Sequence, residues 1–113
     1  MKWAEAATVF AAYGAWRATG LQRAGAALAR ALASSDETNR TAAGMLLLRG
    51  GMRALPLLQN NLRQALAVPL TLRVLGDIGS PEARSAIQPF LRDADPAVAR
   101  AATEALASLD AVR

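Results

Sequence analysis

Between residues 71 and 109 the apolar positions fall into two runs with helical spacing. Ala83, Ala86, Ile87 and Leu91 form the first; Val98, Ala101, Ala102, Ala105, Leu106 and Leu109 form the second. Each run recurs every three or four residues, as one buried face of a helix requires. Polar punctuation marks the ends. Gly79 closes a preceding helix, Ser80 stands at a capping position with Pro81 and Glu82 in the first turn, and residues 93–96 (Asp-Ala-Asp-Pro) end one helix and open the next. Two short helices folded back on each other cannot bury both stripes, so the unit has to stack against copies of itself.

Copies are present. Trp16, Leu47, Leu75 and Leu106 precede successive breaks at spacings of 31, 28 and 31 residues. At an offset of 59, Gly20 falls on Gly79, Leu28 on Ile87, Leu32 on Leu91, Asp36 on Asp95, Ala43 on Ala102 and Leu47 on Leu106. Boundary residues and stripe residues coincide together, which identifies an internal repeat. The pattern predicts seven helices: an opening one over 2–18, then pairs over 21–33 with 37–48, 54–66 with 69–75, and 81–91 with 96–109. The fold class is all-α, an α-solenoid of stacked helix pairs with about three repeats after an N-terminal half-repeat. As a single domain, 1–113 divides into the half-repeat 1–19 and repeats 20–50, 51–78 and 79–113. Pro89 lacks a backbone donor and is expected to bend the helix over 81–91. Leu91→Ala and Leu106→Ala are expected to cost roughly 2–5 kcal/mol each, and Glu104→Ala no more than about 0.5 kcal/mol.

Two runs carry a family resemblance: LGDIGSPEA from Leu75 and DADPAVARAATEAL from Asp93. With the spacing of 28–31 residues, the chain resembles HEAT-like repeats of the phycobilisome-lyase type. The last unit fits best. The middle one departs at Pro56 and Pro69, and the first keeps Asp36 and Arg40 but has Gly44, Met45 and Leu48 where the pattern prefers other residues. The resemblance implies a solenoid whose relatives mostly bind proteins; a few act with bilin chromophores, and related helical repeats bind DNA.

Composition narrows the chemistry. The chain has no cysteine and no histidine, so thiol chemistry, the commonest general base and the commonest zinc ligand are all missing. Asp36 with Glu37 and Asp93 with Asp95 sit in turns that open helices, where carboxylates satisfy free N–H groups and the helix dipole rather than catalyse. Ser34-Ser35 has no base to activate it, and Gly50-Gly51 reads as a helix stop rather than a phosphate loop. Asp95 and Arg100 are expected to pair across neighbouring units. Residues 1–75 hold nine basic and three acidic side chains (+6), and residues 76–113 hold four and six (−2). The apolar run over 6–16 is flanked by Glu5 and Arg17, and it is too short for a span of roughly 20 residues.

The second helix of each pair should line the inner surface. Subtracting the buried stripe in the last unit and shifting by the repeat offsets leaves Val9, Phe10, Tyr13, Gly14 and Arg17 on the opening helix. The same operation leaves Arg40, Thr41, Gly44, Met45 and Leu48 on the second, and Val68, Pro69, Leu72 and Arg73 on the third. Aromatic, Met and Arg side chains in an apolar strip suit a protein interface. The expected function is a non-catalytic scaffold of the cytoplasm that binds a protein segment, with no cofactor, metal or membrane partner. Its contact residues are Phe10, Tyr13, Arg17, Arg40, Met45, Leu48, Leu72 and Arg73. The apolar opening helix is also expected to mediate homodimerisation through Phe10 and Tyr13. Alternatives are nucleic-acid binding by the basic N-terminal part and a role as accessory subunit of a bilin-lyase-type enzyme.

Overall fold

The computed structural model describes residues 3–19 and 22–111, with side chains from 8–18 and 24–111. The expected roles of Lys2, Gly20 and Leu21 lie outside the described residues. Among those described there are seven α-helices and no strand: α1 Trp3–Thr19, α2 Gln22–Arg30, α3 Glu37–Gly50, α4 Leu55–Arg63, α5 Val68–Ile78, α6 Ala83–Ile87 and α7 Pro96–Ala111. Short 3-10 turns at Ala31–Ala33, Gly51–Ala54 and Gln88–Phe90 extend or introduce three of them. The odd-numbered helices pack in succession, α1 on α3, α3 on α5 and α5 on α7, while α2 packs on α4 behind them and α6 lies against α5 and α7. This is an α-solenoid of stacked helix pairs. No described helix is long and apolar enough to cross a membrane.

Local chemistry explains the boundaries. Asp36 caps α3 by accepting the Thr38 N–H at 2.8 Å, and its own N–H donates to Ser34 Oγ at 3.2 Å. Asp93 and Asp95 do the same before α7, accepting from Asp95 N–H and Ala97 N–H at 2.9 Å each. These carboxylates work as caps, as their positions in the sequence indicate. Gly79 ends α5 at φ 74°, the left-handed conformation that favours glycine. The Ser80 hydroxyl donates to Glu82, which holds the Glu82 carboxyl below its ordinary range, and Ser80 Oγ accepts the Glu82 N–H at 3.3 Å.

The buried side chains form one cluster along the interface between the two layers, with Leu28, Leu32, Leu47, Leu58, Leu72, Leu75 and Ile87 fully enclosed. Two close approaches fix helix spacing. A Cβ on Gly76 of α5 would lie 2.6 Å from the Ala105 Cα of α7, so these two helices meet backbone to backbone. At the other end the ring of Trp16, 5% exposed, lies over Gly50, where a Cβ would fall inside it, and 3.0 Å from where a Cβ on Gly25 would sit.

Two expectations change. Pro89 does not bend a long helix; α6 stops at Ile87, and the chain continues in a 3-10 turn whose bonds run from Leu91 N–H to Gln88 O and from Asp93 N–H to Phe90 O. Leu91 therefore falls beyond the helix and is 37% exposed instead of lying in the stripe. Nor do Asp95 and Arg100 pair. Asp95 is engaged as a cap, Arg100 is exposed, and the ion pair among the described residues joins Arg84 to Asp110 across α6 and α7.

The turn between α4 and α5 carries strain where the chain has alanine instead of glycine: Ala65 and Ala67 have φ of 54° and 46°. A left-handed non-glycine residue costs about 1–2 kcal/mol. Ala65 is exposed, so Ala65→Gly loses no packing and should raise the unfolding free energy by about 0.5–1 kcal/mol after the extra unfolded-state entropy of glycine, read from urea midpoints. In the same assay Ile87→Ala should cost about 2–5 kcal/mol and Leu91→Ala less than about 1 kcal/mol; equal losses would restore Leu91 to the core.

Candidate binding groove

α3 and α5 lie side by side on the inner layer, and a groove of about 350 Å³ runs between them. Its apolar part comes from Met45, Leu48, Leu70 and Val74, and its charges are Glu37 and Arg40 from α3 with Arg73 and Asp77 from α5. Met45 is 63% exposed and Leu48 41%, an unusual investment of large apolar surface on neighbouring turns of one helix. Gly44 deepens the floor between them. A Cβ there would meet Val74 at an ordinary 3.7 Å, so close packing does not require glycine at this position.

The groove continues over α5. Leu70, Arg73 and Asp77 also line a second depression, of about 560 Å³, whose far wall is Ala101, Glu104, Ala105 and Ser108 of α7. The two halves differ in chemistry: the α3 side offers Met45 and Leu48, whereas the α7 side offers small and polar side chains. Arg40 is partly committed, since its Nη1 donates to Ser34 O at 2.7 Å. That bond draws the guanidinium toward the start of α3 and leaves its stem along the groove.

The expected contact residues separate into three groups. Arg40, Met45, Leu48 and Arg73 come together in the α3–α5 groove. Phe10, Tyr13 and Arg17 lie on α1, outside it. Phe10 is 56% exposed and Arg17 is exposed, while Tyr13 is half-buried, packs on the core and meets Trp16 edge-on at 6.2 Å between ring centroids. Leu72 is the correction: it is fully buried in the core and cannot touch a partner. The reason is position in the stack. Thr103, its counterpart 31 residues on, is exposed on α7, whereas α5 is covered by α3 on one side and α7 on the other. The exposed strip of α5 narrows to Pro69, Arg73 and Asp77.

Leu70 and Asp77 were not anticipated as groove residues. Asp77 is one turn beyond Arg73 on the same face, a spacing of four that marks it as a neighbour. Asn61 and Thr71, the polar centre of the middle unit, also went unrecognised, because nothing in their local pattern distinguishes a buried amide from an exposed one.

Residues 70–113 match the family model for HEAT repeats. No curated protein and no solved structure matches the chain. Together with the helical stack, the match supports a HEAT-like repeat protein. It is to HEAT repeats in general and carries no phycobilisome-lyase assignment. The matched segment begins at Leu70, so it supplies the α5 and α7 walls of the groove; the Met45 and Leu48 wall lies before it.

The exposure of Phe10 and the burial of Trp16 separate surface from core on α1. Phe10→Glu should leave helicity unchanged by circular dichroism and shift stability by no more than about 0.5 kcal/mol. Trp16→Ala should cost about 3–5 kcal/mol, or unfold the chain. Comparable losses for both would place Phe10 in the core.

Proposed function

We propose that this protein is a non-catalytic interaction scaffold that holds a short segment of a partner protein in the α3–α5 groove. The observation that carries the reading is the exposure of Met45 and Leu48 between the charges of Glu37, Arg40, Arg73 and Asp77. An apolar centre framed by charge is the anatomy of a protein interface. HEAT repeats commonly mediate protein–protein interaction, which supports the same class. Both signs of charge are present along the groove, so a segment with apolar anchors and flanking charges fits better than a polyanion. Nucleic-acid binding by the arginine-rich N-terminal part is a separate reading, and two of its arginines, Arg40 and Arg73, line the groove itself. We also keep self-association through α1 as a proposal, resting on Phe10.

Selection of twelve-residue peptides from a random displayed library on the intact protein tests the groove directly. Enriched peptides should carry apolar anchors, and Met45→Glu should weaken their binding by at least about 2 kcal/mol, the loss expected at a central interface residue, with circular dichroism unchanged. Affinity should fall only weakly between low and physiological salt, because contact is mainly apolar. Peptides that bind Met45→Glu as well as the unaltered protein would refute the groove. Tight single-stranded or duplex DNA binding with a steep salt slope would favour the nucleic-acid reading instead.

A further inference from the structure

A second cavity lies on the opposite side of α3, where α1, the end of α2 and the start of α3 converge. It measures about 400 Å³, within the range of small-molecule sites. Thr8 and Val9 of α1, Ala27, Arg30 and Ala31 around the end of α2, and Asn39 of α3 line it. The lining is largely aliphatic, and Arg30, exposed at the lip, carries the one formal charge among the described lining residues.

Asn39 is the anomaly. It is 1% exposed, yet neither its Oδ1 nor its Nδ2 has a hydrogen-bond partner. Buried side-chain amides are nearly always paired, because each unpaired donor or acceptor forfeits its bonds to water without replacement. The other buried asparagine obeys the rule: Asn61 Nδ2 donates to Ala29 O at 3.0 Å and reaches Thr71 Oγ1 at 3.5 Å. Helix capping does not explain Asn39 either, since Asp36 already caps α3. Packing does not call for an amide. At the repeat offset of 59, Asn39 corresponds to Val98, which is buried at the start of α7.

We propose that this cavity binds a small, mainly apolar molecule bearing a primary carboxamide or lactam, held by the side-chain amide of Asn39, which turns outward from the cavity wall to meet it. Asparagine offers a donor and an acceptor side by side. A carboxamide or lactam edge presents the complementary pair, its N–H donating to Oδ1 and its carbonyl accepting from Nδ2. A carboxylate satisfies Nδ2 but sets its charge against Oδ1, and a hydrocarbon satisfies neither. The apolar body of the ligand would rest on Val9, Ala27 and Ala31. Because this site and the α3–α5 groove share no lining residue, it stands or falls separately from the scaffold reading.

Benzamide and δ-valerolactam are suitable probes, with benzoate and toluene as controls, followed by protein-detected chemical-shift titration of the full chain. Both amides should bind in the millimolar range, with shifts centred on Thr8, Ala27, Ala31 and Asn39. Asn39→Val, which installs the residue of the last repeat, and Asn39→Asp, which removes the donor, should each weaken amide binding about tenfold or more. Thermal unfolding of the Asn39→Val variant should show a cooperative fold, so that its loss of binding is not a loss of structure. Benzoate binding more tightly than benzamide and depending on Arg30 would overturn the proposal in favour of an anion site, and so would amide binding that survives Asn39→Val. Failure of both amides to bind at tens of millimolar would overturn it as well.

Discussion

The first helix stays on the stack because one tryptophan ring fits where two glycines leave room. Seven of the seventeen residues of α1 are alanine, which binds helices weakly per residue. Trp16 supplies the missing area: its ring lies over Gly50 at the end of α3 and beside Gly25 in α2, so a single side chain ties three helices. Any side chain at Gly50 would occupy the ring's own space, which makes the pair mutually dependent. Once α1 is set, Val9 and Tyr13 fall against the same core, and Phe10 is left pointing away from it. At the far end Gly76 and Ala105 do the same work by a different route, removing bulk until the α5 and α7 backbones touch. Close approach, more than large side chains, sets the spacing of the inner layer.

The middle unit is the least regular and relies on polar bonds to compensate. Its turn holds alanines in left-handed conformations at 65 and 67, and Ala67, at the N-cap of α5, provides no side-chain cap. Asn61 answers this from below. Its side chain donates to Ala29 O at the end of α2, its backbone carbonyl accepts Leu66 N–H at 2.9 Å, and Thr71 Oγ1 donates to Leu66 O at 3.4 Å. The strained turn is thus bonded at both ends, and the bond to Ala29 links it to the preceding unit. A buried network of this kind favours one arrangement, whereas alanine-rich stripes alone permit several rotations.

Helix number and order were legible because several signals agreed: capping aspartates, left-handed glycine at Gly79 and apolar spacing all marked the same boundaries. Helix ends were less legible. Pro89 reads equally as a bend or a stop, and only the placement of Phe90 against the core decides between them, leaving Leu91 outside. The groove was legible on α3, where Arg40, Met45 and Leu48 stand on one exposed face, and misleading on α5 at Leu72. Offsets within a repeat carry chemistry faithfully only between helices packed alike; α5 packs against α3, α4, α6 and α7, whereas α7 packs against α5, α6 and the turn at Gln88–Phe90. The Asn39 cavity was not legible at all, since it is made by three segments whose convergence no local pattern announces.

The same inequality between α5 and α7 gives the inner surface a direction. Crossing from α3 over α5 to α7, the walls change from Met45 and Leu48, through Leu70, to Ala101 and Ala105, while Arg73 on α5 is followed by Glu104 at the equivalent position on α7. Apolar depth falls as the array proceeds, and a positive position becomes negative. A segment lying across the three helices would place its apolar anchors over α3 and meet Arg73 before Glu104. Reversing it would set its apolar end against Ser108 and Glu104, where burial gives little and a charge is left facing hydrocarbon. A groove with identical repeats would not discriminate between the two directions. Here the degeneracy of the first and middle units, which weakens their likeness to the last, is what makes the surface unsymmetrical enough to do so.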